Sequence, residues 1–124
     1  MKIKYVYIAA PMTGPPNEYL ANCVRLSRVA RELVEQGFCV INPAGDMLEG
    51  LMSERPLPDS TFKARSMDLL RLFAGRDDSC VFVLETMHRN GTISGGVGAE
   101  VEESERLEIP VVYSWERFWH LARS

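Results

Sequence analysis

A chain of 124 residues fits a single domain, 1–124, with enough apolar sequence to bury a core. Its 46% hydrophobic and 25% charged residues exclude a disordered chain. A formal net charge of −3 argues against a surface for a nucleic-acid polymer, which needs clustered Lys and Arg, while a small ligand stays compatible.

No run approaches the roughly 20 apolar residues of a membrane span, and Met1 to Lys4 lead into a strand pattern without a signal-peptide core. The three cysteines, Cys23, Cys39 and Cys80, are odd in number and widely spaced, with no C-x-x-C or His-containing metal pattern. They read as buried free thiols, and reduced thiols point to the cytoplasm.

In chain order, Ile3 to Ala9 (IKYVYIA) reads as a buried strand, followed by a turn-rich segment through Asn17. Asn17 is placed to cap a helix running to about Gln36. Leu20, Val24, Leu26, Val29, Ala30, Leu33 and Val34 supply its apolar recurrence. Gly37 stands where a left-handed residue ends a helix. Phe38 to Ile41 predicts a second strand, closed by Asn42-Pro43. Residues Ala44 to Asp59, with Gly45, Gly50, Pro56 and Pro58, predict a loop or short helical turn able to act as a lid. A helix is expected from about Ser60 to Ala74, with Phe62, Met67, Leu70 and Phe73 inward. Cys80 to Leu84 (CVFVL) predicts the third strand. The glycine-rich stretch Asn90 to Gly98 then introduces a helix to about Leu107, Pro110 to Tyr113 a fourth strand, and Trp115 to Ala122 a closing helix. This alternation predicts an α/β fold: a doubly wound, flavodoxin- or Rossmann-like domain with a parallel sheet of four to five strands flanked by helices. Ligands in such sheets sit beyond the carboxyl ends of the strands, where the strand order reverses.

Glu100 is the leading candidate for chemistry. It is expected in the first turn of a helix introduced by Gly95, Gly96 and Gly98, where the helix dipole would keep a carboxylate ionised. An ionised carboxylate in a crevice is what attack on an anomeric carbon requires; the plain alternative is a surface acid that complements the dipole. The G-G-x-G run has neither a dinucleotide spacing nor a P-loop lysine, so a phosphate nest with Ser94 and a plain turn stay equally open. Asp68, inside an apolar stretch, either faces solvent or faces the crevice with a raised pKa, ready to protonate a leaving group. Tyr7 is either a core aromatic or the residue that orients the nucleophile. His88 and His120 have no spaced partners and read as surface residues.

Four ordered elements resemble the nucleoside 2-deoxyribosyltransferase family, including its branch that hydrolyses nucleoside 5′-monophosphates and its phage-type relatives. Tyr7-Ile8-Ala9-Ala10-Pro11-Met12-Thr13-Gly14 resembles the family's first strand and loop, Asn42-Pro43-Ala44 its N-P element, and Met67-Asp68-Leu69 its D-[LI] helix segment. Ser94-Gly95-Gly96-Val97-Gly98-Ala99-Glu100-Val101 is similar to its S-x-G-x-G-x-E-[LI]. The resemblance implies that Glu100 is the nucleophile, that Tyr7 contacts it, and that Asp68 binds the base or donates a proton. It also implies substrate contacts at Ala10, Pro11, Thr13, Gly14, Asn42, Ser94, Gly96 and Gly98. A serine six positions before the nucleophile is the phosphate-contacting type of the monophosphate branch. Pro11 and Thr13, however, stand where that branch carries serine and arginine, leaving the charge to Arg89 or a partner subunit. The family is commonly dimeric or larger, with Tyr113-Ser114-Trp115 a poor match to the part that reaches the neighbouring site. A nucleoside or nucleotide substrate, a homodimer and no metal or organic cofactor are therefore expected. The competing readings are a non-catalytic nucleotide-binding module and a glycohydrolase of NAD-type dinucleotides. Convergence of Tyr7, Asp68 and Glu100 separates the first of these from catalysis, because a nucleophile and its helpers must meet.

Overall fold

A computed structural model describes residues 2–12, 16–52, 54, 55, 57–85 and 94–124. Four strands, β1 (Tyr5–Ala9), β2 (Cys39–Ile41), β3 (Ser79–Val83) and β4 (Val111–Val112), form one sheet in the order β2-β1-β3-β4. All pairings are parallel, with β1 matched to β3 from Tyr5↔Ser79 to Ala9↔Val83. Helices α1 (Pro16–Glu35), α2 (Asp46–Met52), α3 (Asp59–Arg71), α4 (Gly95–Arg106) and α5 (Trp115–Arg123) complete the fold, with a 3-10 turn at Pro43–Gly45. The protein is therefore an α/β domain of the doubly wound kind, with the four-stranded sheet at the lower end of the expected size.

The two-residue period of a strand sorts the core into layers. Val6, Cys80 and Phe82 face Leu33 of α1 and Phe118 and Ala122 of α5. Tyr7, Ala9, Val81 and Val83 face Leu70 of α3 and Val97 of α4. Helices α1 and α5 thus cover one face, and α3 and α4 the other. Phe118 sits at the centre of the first layer, fully buried, with ring centroids 5.1 Å from Phe38 and 5.3 Å from Phe82.

Helix α1 ends as expected. Gly37 has φ +98, Phe38 N donates to Leu33 O at 3.1 Å and Gly37 N to Val34 O at 3.0 Å, a Schellman closure that turns the chain into β2. Its start differs, because Pro16 occupies the first helical position and puts Asn17 inside the first turn rather than at the cap. The buried stripe of α1 is Asn22, Cys23, Leu26, Ala30 and Leu33, which leaves Leu20, Val24 and Val34 about half exposed on the other side. Cys39 is also exposed, unlike Cys23 and Cys80, because it stands at the start of the edge strand β2. Much of the expected lid, 44–59, is ordered by the 3-10 turn and α2.

Replacing Phe118 by Ala opens a cavity in the middle of a packed layer. Urea denaturation should show a loss of about 3–5 kcal/mol, the range for deleting a buried aromatic side chain. A loss below about 1 kcal/mol would mean that this layer does not hold the sheet to α5.

Candidate active site

Strands β1 and β3 are neighbours, and Leu84 N donates to Ala9 O at 2.8 Å, so the two chain segments stay together as they leave the sheet. After β1 the chain passes to α1 on one face, and after β3 to α4 on the other. A cavity of about 350 Å³ opens where they part, floored by Ala9 and Ala10 and walled by residues of α2, α3 and α4. This is the crevice that the strand-order rule places at a reversal.

Glu100 lines that cavity. Burial raises its carboxyl pKa from 4.5 to about 7, against a smaller opposing contribution from the Tyr7 hydroxyl. Tyr7 is fully buried beneath the cavity, and burial, followed by the negative charge of Glu100, holds the proton on its hydroxyl. Neither Tyr7 Oη nor Glu100 Oε2 has a partner at conventional hydrogen-bond geometry, although the two groups perturb each other. Ser66 also acts on the Tyr7 hydroxyl, so the three form one buried polar cluster at the cavity.

The route by which Glu100 reaches the cavity corrects the sequence-based expectation. Ser94 caps α4, accepting from Val97 N at 3.2 Å, so Gly95, Gly96 and Gly98 lie inside the helix rather than before it. None of the three has a positive φ. Glu100 is then the sixth helical residue, beyond the first turn, where the field of the helix terminus has faded. Desolvation governs this carboxyl, and its pKa moves up, not down.

Asp68 is a second correction. Its side chain is 76% exposed and lies 3.4 Å from Arg71, and it is not part of the cavity wall. At 3.6 residues per turn it stands about 200° around α3 from Ser66, which does face the cavity together with Phe62, Lys63 and Met67. Tyr7 and Glu100 converge; Asp68 does not.

Of the other expected contacts, Ala10, Ser94 and Gly96 line the cavity, and Pro11 is buried but outside the wall. Asn42 caps the 3-10 turn through Ala44 N at 3.1 Å and donates to Ser27 Oγ at 3.3 Å. That structural role explains the residue without a ligand. Gly98 faces away from the wall, its N–H bonded to Ser94 O. Thr13, Gly14, His88 and Arg89 lie outside the described residues. His120 is exposed, Tyr113 is 54% exposed, and Trp115 packs on the α5 layer.

Sequence reasoning passed over Asp46, Lys63 and Ser66 and expected Phe62 as a core contact only; all four are on the wall. Asp46 follows β2 across the 3-10 turn, so the carboxyl-end rule could have flagged it. Ser66 lies one helical turn after Phe62, so the inward position of Phe62 could have flagged it. Among the described residues no group of three or more His, Cys, Asp or Glu is placed to hold a metal ion, and no helix is long and apolar enough to cross a membrane.

No protein-family model matches this chain, and no curated protein matches it. The fold and the cavity define the class on their own: a parallel α/β domain with a desolvated carboxyl group at its topological switch point.

The buried carboxyl sets a pH-dependent stability. The folded chain keeps the Glu100 proton up to about pH 7, whereas an ordinary glutamate has released it near 4.5. Between those values the folded state binds more protons than the unfolded one, so stability falls as pH rises, by about 3 kcal/mol in all. Glu100→Gln removes the ionisation. Its stability relative to the parent chain should therefore be about 2 kcal/mol better at pH 8 than at pH 5 in matched denaturant titrations. An equal difference at both pH values would show that the carboxyl is well solvated.

Proposed function

We propose that the protein cleaves the N-glycosidic bond of a nucleoside or nucleoside 5′-monophosphate, with Glu100 as the nucleophile. The observation that carries this reading is the placement of the desolvated Glu100 carboxyl on the wall of the cavity at the switch point, beside the buried Tyr7 hydroxyl. A Glu100 oxygen attacks C1′ as the C1′–N bond breaks. The bonding pair leaves on the base nitrogen, which takes a proton from water. Water, or a second base, then attacks C1′ of the glycosyl ester and restores the carboxylate, the two-step logic of retaining glycosidases. Tyr7 donates to the carboxylate and fixes which oxygen points at the sugar.

A 5′-monophosphate is the favoured form of substrate. Ser94 uses its oxygen to cap α4 and keeps its hydroxyl proton to donate. The first N–H groups of α4, at Gly95 and Gly96, have no intrahelical acceptor and stand on the same wall. Lys63, also on the wall, forms no ion pair among the described residues and supplies positive charge in place of the arginine that the first loop lacks.

The test is a panel of nucleosides and 5′-monophosphates, incubated with and without an acceptor base. Free base plus sugar phosphate identifies a hydrolase, and a new nucleoside a transferase. Glu100→Gln should lower kcat by about a thousandfold or more, the scale expected for loss of a covalent nucleophile. Asp68→Asn, at an exposed position, should leave kcat within about twofold, since surface changes of this kind are energetically small. Full activity in Glu100→Gln would end the proposal.

Because the nucleophile must be charged, kcat/KM should rise with pH through an inflection near the free-enzyme value of about 7. Tyr7→Phe removes the donor that opposes desolvation and should move that inflection upward. A pH profile with its acid limb near 4.5, as for a solvated carboxylate, would assign the limb to another group.

A further inference from the structure

The cavity holds a second carboxylate that no step above uses. Asp46, at the start of α2, lines it with a side chain only 21% exposed. Its Oδ1 is bound by Arg65 Nη2 at 2.5 Å, while Arg65 Nη1 binds Glu49 Oε2 at the same distance. The guanidinium carbon lies 5.4 Å from the centroid of the Phe62 ring, which itself walls the cavity. Arg65 thus grips two carboxylates of α2 from α3 and holds Asp46 in one orientation. Its other oxygen, Oδ2, makes no hydrogen bond among the described residues. A charged acceptor fixed at the edge of a largely apolar wall is a recognition group.

The topology says what it recognises. Asp46 follows β2 and Glu100 lies on the helix after β3, so the two carboxyl groups enter the cavity from the two neighbours of β1. In the first displacement a nucleophile attacks C1′ from the face opposite the departing base. The base therefore projects away from Glu100 into the cavity, whose wall includes Met12, Tyr19, Pro43 and Phe62. Asp46 is part of that wall. A carboxylate accepts hydrogen bonds and donates none, so it pairs with an exocyclic amino group and repels a keto oxygen at the same position.

We infer that Asp46 is a specificity-determining residue that selects substrates whose base carries an exocyclic amino group, as in cytosine and adenine, over their keto counterparts. The inference rests on the glycosidase reading for its geometry, and its test is arranged so that either can fail alone. Matched pairs exchange the exocyclic amino group for a keto oxygen, with the adjoining ring nitrogen changing from acceptor to N–H donor: 2′-deoxycytidine against 2′-deoxyuridine, and 2′-deoxyadenosine against 2′-deoxyinosine, all as 5′-monophosphates. Turnover is measured on the parent chain and on Asp46→Asn, and binding by calorimetry on Glu100→Gln with and without Asp46→Asn.

The parent chain should favour the amino member of each pair by about 10- to 100-fold in kcat/KM, and Glu100→Gln should show the same order in Kd. Asp46→Asn is nearly isosteric and turns a pure acceptor into a group that also donates, so the preference should collapse or invert. A residue that merely braces α2 would lower both members of a pair equally and leave their ratio intact; that result overturns the inference while the proposed function stands. Amino-selective binding without turnover of any substrate supports the subsite and overturns the glycosidase. If Asp46→Asn does not fold, the parent chain still decides, because equal treatment of amino and keto members removes the role of Asp46. Failure of all four nucleotides to bind overturns both readings.

Discussion

The pairing of β1 with β3 is the constraint from which the rest of the molecule follows. Both strands are buried on both faces, and five register pairs lock them before the chain leaves the sheet. Their continuations then go to opposite faces, α1 to one and α4 to the other, and two adjacent strand ends that part in this way cannot close over each other. The gap is a consequence of topology rather than of any residue in it. What the sequence adds is the choice of side chains that face the gap.

That choice runs against stability. Burial destabilises the charged form of the Glu100 carboxyl, and the Tyr7 hydroxyl beside it is buried as well. An apolar residue at either position would fit the surrounding layer of Val81, Val83, Leu70 and Val97 without that cost. Folding accounts for everything else in that layer and not for these two groups. Places where local energetics and the fold disagree are where function is expected to reside.

Much of this was legible in the sequence, and the reasons are local. A strand buried on both faces must be apolar at every position, so Tyr5–Ala9 and Ser79–Val83 announce themselves as unbroken runs. Gly37 followed by Phe38 was equally plain, since a left-handed residue with an apolar successor is how a helix turns back on a sheet. The start of α4 was not. Three glycines in four residues carry a helix penalty of about 1 kcal/mol each and read as loop, yet the Ser94 cap and the packing of Val97 draw them into the helix. On α3 the inward positions Phe62, Met67, Leu70 and Phe73 were legible, and what stayed open was the side of Asp68. Met67-Asp68-Leu69-Leu70 looks like a buried stretch with one acid in it, but only Leu70 is fully buried, and the helix turns Asp68 to solvent with Arg71 as its neighbour. On α1 the same ambiguity placed Leu20 and Val24 on the covered side, when the stripe through Cys23, Leu26 and Ala30 is the one that meets the sheet. Asp46 escaped notice because its importance depends on Arg65, nineteen residues on, and no local pattern couples the two.

The two cavity carboxylates differ in environment, and on the proposed reading that difference assigns their work. Asp46 is paired with a guanidinium, shared with Glu49, that is present before any ligand arrives, so its orientation is set in advance and the substrate meets a fixed hydrogen-bond acceptor. Glu100 forms no ion pair among the described residues, the Lys63 ammonium on the same wall being assigned to the phosphate, and its cost of ionisation is correspondingly high. Positive charge develops directly against it when the sugar itself becomes oxocarbenium-like, at which point a poorly solvated anion is attracted far more strongly than a hydrated one would be. An interaction that grows between the bound substrate and the transition state raises kcat, whereas one already complete on binding does not. Leaving Glu100 without an ion-pair partner while pairing Asp46 with Arg65 is therefore the arrangement that a nucleophile and a reader of substrate, sharing one cavity, require.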